Sequence, residues 1–111
     1  MTTQLPLDMN NNAIPALRLR NDGAHVIAAA SSSARNATAF ADDTKIISVY
    51  ASVPVYINMG GADVTASTSD HYYPAGLYYD FAIGDEHSGH ASHVAILRVE
   101  SDGNVYISEK F

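Results

Sequence analysis

The densest run of chemistry-bearing side chains is Asp85-Glu86-His87-Ser88-Gly89-His90-Ala91-Ser92-His93. Neutral imidazoles and carboxylates are ligands for zinc, nickel or copper, and groups this close in sequence can converge on one ion. Convergence needs a rigid frame, whereas Ser88, Gly89 and Ser92 favour a loop. Residues three apart point to opposite faces of a strand, and Gly89 weakens a helix. The run is therefore read as a solvated polar loop without a metal. Its histidines gain charge below neutrality, which leaves a pH-responsive contact open.

Other candidate chemistry thins out on the same scrutiny. Ser67-Thr68-Ser69-Asp70-His71 places a hydroxyl, a carboxylate and an imidazole together, but such neighbours in sequence read as a turn rather than a triad. No G-x-S-x-G elbow accompanies them. The acid pairs Asp42-Asp43 and Asp85-Glu86 fall in expected loops, whereas a glycosidase pair must face across a cleft. Gly60-Gly61 is followed by neither a lysine nor a helix, so it does not cradle phosphate. The expectation is a protein that is not an enzyme, with no catalytic residues, no cofactor and no metal.

Tyrosine is the informative excess: seven tyrosines and no tryptophan, with Tyr72, Tyr73, Tyr78 and Tyr79 flanking the turn Pro74-Ala75-Gly76. A tyrosine ring covers a large area while its hydroxyl keeps a hydrogen bond, which suits an interface. Tyr79 is assigned to the core by alternation. Tyr72, Tyr73 and Tyr78 remain as candidates for a contact patch, with strand-edge packing and a sugar-binding platform as the other readings.

The elements that would position these residues are strands. Val53, Val55 and Ile57 alternate with Pro54, Tyr56 and Asn58. Further on, Leu77, Tyr79, Phe81 and Ile83 alternate with Tyr78, Asp80 and Ala82. A period of two means one buried and one wet face. Thr44 to Ser52 reads as a core strand. Ala16–Arg20 and His25–Ala30 read as a hairpin about Asn21-Asp22-Gly23, and Val94–Val99 with Val105–Ile107 as a hairpin about Asp102-Gly103. Residues 28–43, rich in Ala and Ser, read as irregular with short strands rather than as a helix over 33–41. Seven to eight short strands with frequent turn signals predict an all-β, single-domain antiparallel sandwich or barrel over residues 14–111.

Residues 1–13 read as an extended N-terminal arm. In it Leu5, Leu7 and Met9 are alternate apolar positions, and they are candidate interface residues. The arm is either a frayed terminus or a strand added to a partner. Pro6 and Pro15 argue against a central strand there.

Composition narrows the partners. Hydrophobic residues make up 47% and charged residues only 16%, against a usual charged share of about 25%, so the exterior is weakly charged and suited to packing against other proteins. The net charge is −6 and the six basic residues are scattered, which excludes a phosphate-neutralising cluster and hence nucleic acid. No apolar run approaches the roughly 20 residues of a membrane helix, and the first residues do not read as a signal peptide. The expectation is no membrane partner and synthesis in a cytoplasm. Without cysteine neither disulfides nor thiolate metal sites arise.

Residues 48–111 carry a resemblance. The order VYASVPVYINMGGADVTASTSDHYYPAGLYYDFAIG, a gap, then HVAILRVESDGNVYISEKF resembles small virion proteins of tailed bacteriophages. It is most similar to the capsid staple, or decoration, protein of epsilon-fifteen-like short-tailed phages. The resemblance implies a jelly-roll-like fold on the outer surface of an icosahedral head. There the protein would bind the major capsid protein and bridge neighbouring subunits as a homodimer, made in the host cytoplasm and located in the virion. It carries over no catalytic residues and no interface positions. A head–tail or tail-fibre component and a carbohydrate-binding sandwich are the alternative readings.

Overall fold

The computed structural model describes residues 17–84 and 89–110, and among these there is no helix. Eight strands follow in order: β1 (Leu19–Ala29), β2 (Ala34–Arg35), β3 (Ile46–Ala51), β4 (Val55–Gly60), β5 (His71–Tyr73), β6 (Tyr78–Ala82), β7 (His93–Arg98) and β8 (Gly103–Lys110). β1 pairs with β8, β2 with β7, β3 with β6 and β4 with β5, all antiparallel. Nested pairing of this kind is one long hairpin whose tip lies between β4 and β5. The hairpin then wraps, because β8 also pairs with β3 and β7 with β4. Two four-stranded sheets result, β1-β8-β3-β6 and β2-β7-β4-β5, which is the arrangement of a jelly roll.

The alternation seen in the sequence explains why the two sheets stack. Ile27, Ile47, Val49, Val105 and Ile107 of the first sheet and Val55, Ile57, Val94 and Ile96 of the second are buried and form one cluster with Phe40, Tyr73 and Ile83. Each such side chain removed from water contributes roughly 1.5–3 kcal/mol, so the shared inner layer is what holds the sheets together. Residues 36–45 carry no strand, so the core strand expected from Thr44 begins only at Ile46, and they close one side of the core. Asn36 is buried there, accepting from the Val94 amide at 2.8 Å and donating to the Thr38 carbonyl at 2.7 Å.

Three expectations need correction. First, Asn21-Asp22-Gly23 is not a turn between two strands. It is a bulge inside β1: five steps from Leu19 to Ala24 answer two along β8, from Lys110 to Ser108. Asp22 takes the left-handed conformation, at φ 60°, and Gly23 is glycine because it presses on β8. A Cβ there would meet the Glu109 Cβ at 2.9 Å. Second, β7 and β8 do not form a hairpin. β7 lies in one sheet and β8 in the other, so residues 99–102 carry the chain across the sandwich. Third, Tyr79 faces inward beside Val49 yet is 54% exposed, because among the described residues β6 is the edge of its sheet and the facing layer does not extend over it.

Candidate functional site

The two outer faces of the sandwich differ. On the second sheet, residues 61–66 lie across the strands. The Arg35 guanidinium donates to the Val64 carbonyl at 3.1 Å, the Asn58 amide to the Thr65 carbonyl at 3.0 Å, and the Ala66 amide to the Ser33 hydroxyl at 2.8 Å. Ala95 shows the effect: its neighbours Val94 and Ile96 point into the core, so Ala95 points outward, and it is nonetheless 0% exposed.

On the first sheet the outward side chains are uncovered among the described residues, and the register sets four of them side by side. Val26 pairs with Tyr106, Tyr106 with Tyr50, and Tyr50 with Tyr78. All four are exposed, Val26 at 63% and Tyr78 at 57%. Neighbouring strands lie about 4.8 Å apart, so the row spans roughly 14 Å from β1 to β6. The Tyr50 and Tyr106 rings are 6.4 Å apart between centroids, within the distance at which aromatic rings attract. Around the row stand small residues, Ala24, Ala28 and Ala82, and exposed Leu19.

The charges on this face neutralise each other. Lys110 Nζ donates to Asp80 at 2.9 Å and lies 5.0 Å from the centre of the Tyr78 ring. The neighbouring Lys110 and Ser48 side chains lower the Tyr78 pKa from the usual phenol value, and Tyr78 and Asp80 raise that of Lys110. Ser48, although outward-facing by its position between Ile47 and Val49, is only 2% exposed. The result is a preordered apolar and aromatic strip with a satisfied polar edge.

The candidates read from the sequence divide over this geometry. Tyr78 ends the row. Tyr72 is exposed but lies on the outer face of the other sheet, paired with Tyr56 and meeting its ring edge-on at 6.2 Å. Tyr73 is a correction: it is buried, and its hydroxyl donates to the carbonyls of Val49 at 2.8 Å and Leu77 at 2.6 Å, tying β5 of one sheet to β3 of the other and to the residue before β6. Tyr72, Tyr73 and Tyr78 therefore point to three different places and form no common platform. Leu5, Leu7 and Met9 lie outside the described residues, as does His87. His90 donates to the Thr44 carbonyl at 2.7 Å while His93 Nδ1 meets the Ser92 hydroxyl at 2.8 Å; among the described residues no set of three or more metal-ligating groups gathers. Sequence reasoning missed Val26, Tyr50 and Tyr106. Alternation within each strand marks them as outward, but only the strand register makes them neighbours.

A second polar site, also missed, is structural. Glu109 on β8 is 3% exposed. Its carboxylate accepts from Thr44 at 2.7 Å and the Ala41 amide at 2.8 Å, and bonds His25 at 2.8 Å. Arg20 bonds Thr44 and Asp43, and the Phe40 ring packs edge-on against His25. These contacts fasten residues 40–44 to the bulged end of β1.

No family model matches the chain, and no curated protein sequence matches it. Among solved structures, the chain is similar to one described as "Bacillus endospore appendages form a novel family of disulfide-linked pili". The identity is 16%, over 98% of this chain and 97% of that one, with a TM-score of 0.49. At that level the likeness carries no argument about function, and this chain contains no cysteine.

Proposed function

We propose that this protein is a non-enzymatic virion structural protein that binds the outer surface of an icosahedral phage capsid and staples neighbouring major capsid protein subunits. The observation that carries the reading is the row Val26–Tyr106–Tyr50–Tyr78. Contiguous exposed apolar surface of this kind marks protein contact, and tyrosine is the residue enriched where proteins meet. The sequence resemblance over residues 48–111 points the contact at a phage head. One face is small. At roughly 14 Å by 17 Å from strand spacing and rise, it supplies less than the ~800 Å² per partner of a standard interface. A single attachment is accordingly weak, and stapling works by holding two subunits at once, where the second contact is intramolecular.

The test is co-sedimentation with purified heads. Tyr50→Glu or Tyr106→Glu, each surface-exposed and outside the core, is expected to lower attachment about tenfold or more, as removal of an interface anchor does. Thr65→Glu, on the wrapped opposite face, is expected to leave attachment intact. Equal attachment by all three would sink the assignment of this face.

A further inference from the structure

Residues 36–45 run from β2 to β3 without joining a ladder, so separate bonds hold them, and those bonds are of two kinds. The first half is held by uncharged groups. Asn36 accepts from the Val94 amide and donates to the Thr38 and Ser92 carbonyls, and the Phe40 amide donates to the Ser92 carbonyl at 2.9 Å. The far end is also held by backbone, since the Ile83 amide donates to the Lys45 carbonyl at 2.8 Å. Between these anchors, residues 41–44 hang on carboxylates. The Ala41 amide and the Thr44 hydroxyl both donate to Glu109 Oε1, at 2.8 Å and 2.7 Å, and Asp43 pairs with Arg20.

Residues 41–44 are built to move together. The Thr44 amide donates back to the Ala41 carbonyl at 3.0 Å, closing the turn on itself. Of its four positions only Thr44 is buried, whereas Phe40, just before it, is 2% exposed in the core. Local opening takes the segments with least buried apolar contact first, and here such a segment lies between two fixed ends.

The surroundings of Glu109 are donors. The Ala41 amide, the Thr44 hydroxyl and His25 Nε2 point at its two oxygens, and the Thr44 oxygen already accepts from Arg20 Nε at 3.0 Å. A protonated carboxyl brings a donor of its own into this set and gives up the charge that made the bonds strong. Among the described residues, the charged and titratable groups gathered there are His25 and Arg20 from β1, Asp43 on the turn, and His90, which donates to the Thr44 carbonyl at 2.7 Å. Asp22 and Asp42 nearby in the chain are exposed, and Lys110 faces the other side of β8, paired with Asp80. Neither histidine releases the turn in acid, because an imidazolium still donates. The bonds to Glu109 outweigh its burial, so the carboxyl is more acidic with the turn closed than with it open. Closure is favoured above the open-state pKa of about 4.3 and loses that support as pH falls through the lower closed value.

We propose that residues 41–44 form a flap that opens by itself in acid, released when the Glu109 carboxylate takes up a proton, while the sandwich and the Asn36 anchor stay closed. This holds for the protein free in solution and does not rest on capsid attachment. The test is amide hydrogen exchange in the full chain, followed by NMR and corrected for the pH dependence of exchange in unstructured peptides. Between pH 7 and about 3, protection of the Ala41 amide is expected to fall about tenfold or more, the loss of one charge-assisted bond, while Phe40, Ile83 and Val94 keep theirs. The midpoint of that fall is expected to coincide with the titration of the Glu109 carboxyl, read from its own carbon shift. Glu109→Gln is expected to leave Ala41 weakly protected and level over the same range. Should that variant fail to fold, the coincidence of the two midpoints in the unaltered chain decides alone. Ala41 protection that stays level, falls in step with Phe40 and Ile83, follows the titration of Asp43 instead, or still falls with pH in Glu109→Gln overturns the proposal.

Discussion

Burial disfavours the charged form of Glu109, but hydrogen bonds from His25, Thr44 and the Ala41 amide outweigh it and hold the carboxyl below its usual pKa. The sign of the resulting pH dependence follows. A depressed folded-state pKa contributes stability that is present above the unfolded pKa of about 4.3 and lost as pH falls through the lower folded value. Acid melting is therefore expected to show a falling limb that begins near pH 4–5. Glu109→Gln is expected to flatten that limb while lowering stability at pH 7 by about 1–3 kcal/mol, since it removes a charge-assisted acceptor from a buried set. Melting temperature measured from pH 7 to 3 checks both; an unchanged slope would mean that other carboxylates govern acid unfolding. None of this was legible in the sequence. Glu109 sits at an inward position of a strand where alternation marks only an apolar slot, and its partners lie 65 to 84 residues away in the chain.

At the scale of elements, the strands were legible and their pairing was not. The alternation of Val55 and Ile57 with Tyr56 and Asn58 holds in β4, because a half-buried strand has to alternate whatever it pairs with, whereas Val53 and Pro54, read into the same strand, lie in the bend before it. Asp102-Gly103 between two β-branched runs reads equally as a tight hairpin and as a crossing between stacked sheets. Four residues are enough to span the roughly 10 Å between layers, and only the choice of partner decides. Gly103 records the outcome. A Cβ on it would stand 2.6 Å from a Val53 methyl and 2.7 Å from the Ser52 hydroxyl, the same hydroxyl that accepts from the Asn104 amide at 2.9 Å. Gly103→Ala is expected to cost about 1–3 kcal/mol through overpacking, read as a lower urea midpoint with an unchanged slope. A two-residue hairpin turn on the surface would instead leave room for the methyl, so a neutral result would argue against the crossing. The tyrosine candidates failed for a related reason. Tyr72 and Tyr78 flank one turn in sequence, but that turn joins different sheets, and their rings face opposite sides of the sandwich.

For the whole molecule, the asymmetry between a wrapped face and a bare one decides how attachment responds to its surroundings. The chain carries a net charge of −6, yet the candidate face, among the described residues, holds Lys110 and Asp80 as an internal pair and otherwise presents tyrosine rings, methyl groups and the uncharged polar side chains of Asn104 and Ser108. On the proposed function, attachment through that face would be driven by burial of apolar surface, which salt does not screen. What salt does screen is the long-range charge interaction of this acidic chain with its surroundings, over a Debye length of about 10 Å at 0.1 M. On the proposed function, occupancy on heads is therefore expected to hold within about twofold between about 0.05 and 0.5 M salt, whereas a contact made by charged pairs would weaken severalfold over the same range. Asp80→Asn separates the two cases further. It removes the carboxylate charge that pairs with Lys110 while Lys110 keeps its place beside the Tyr78 ring, and should leave occupancy within about twofold. A steep fall in binding with salt, or loss of binding in Asp80→Asn, would move the contact from the aromatic strip to the charged rim; a single exposed ion pair contributes at most about 1 kcal/mol, so loss of Lys110–Asp80 alone accounts for no more than a few-fold change on the proposed contact.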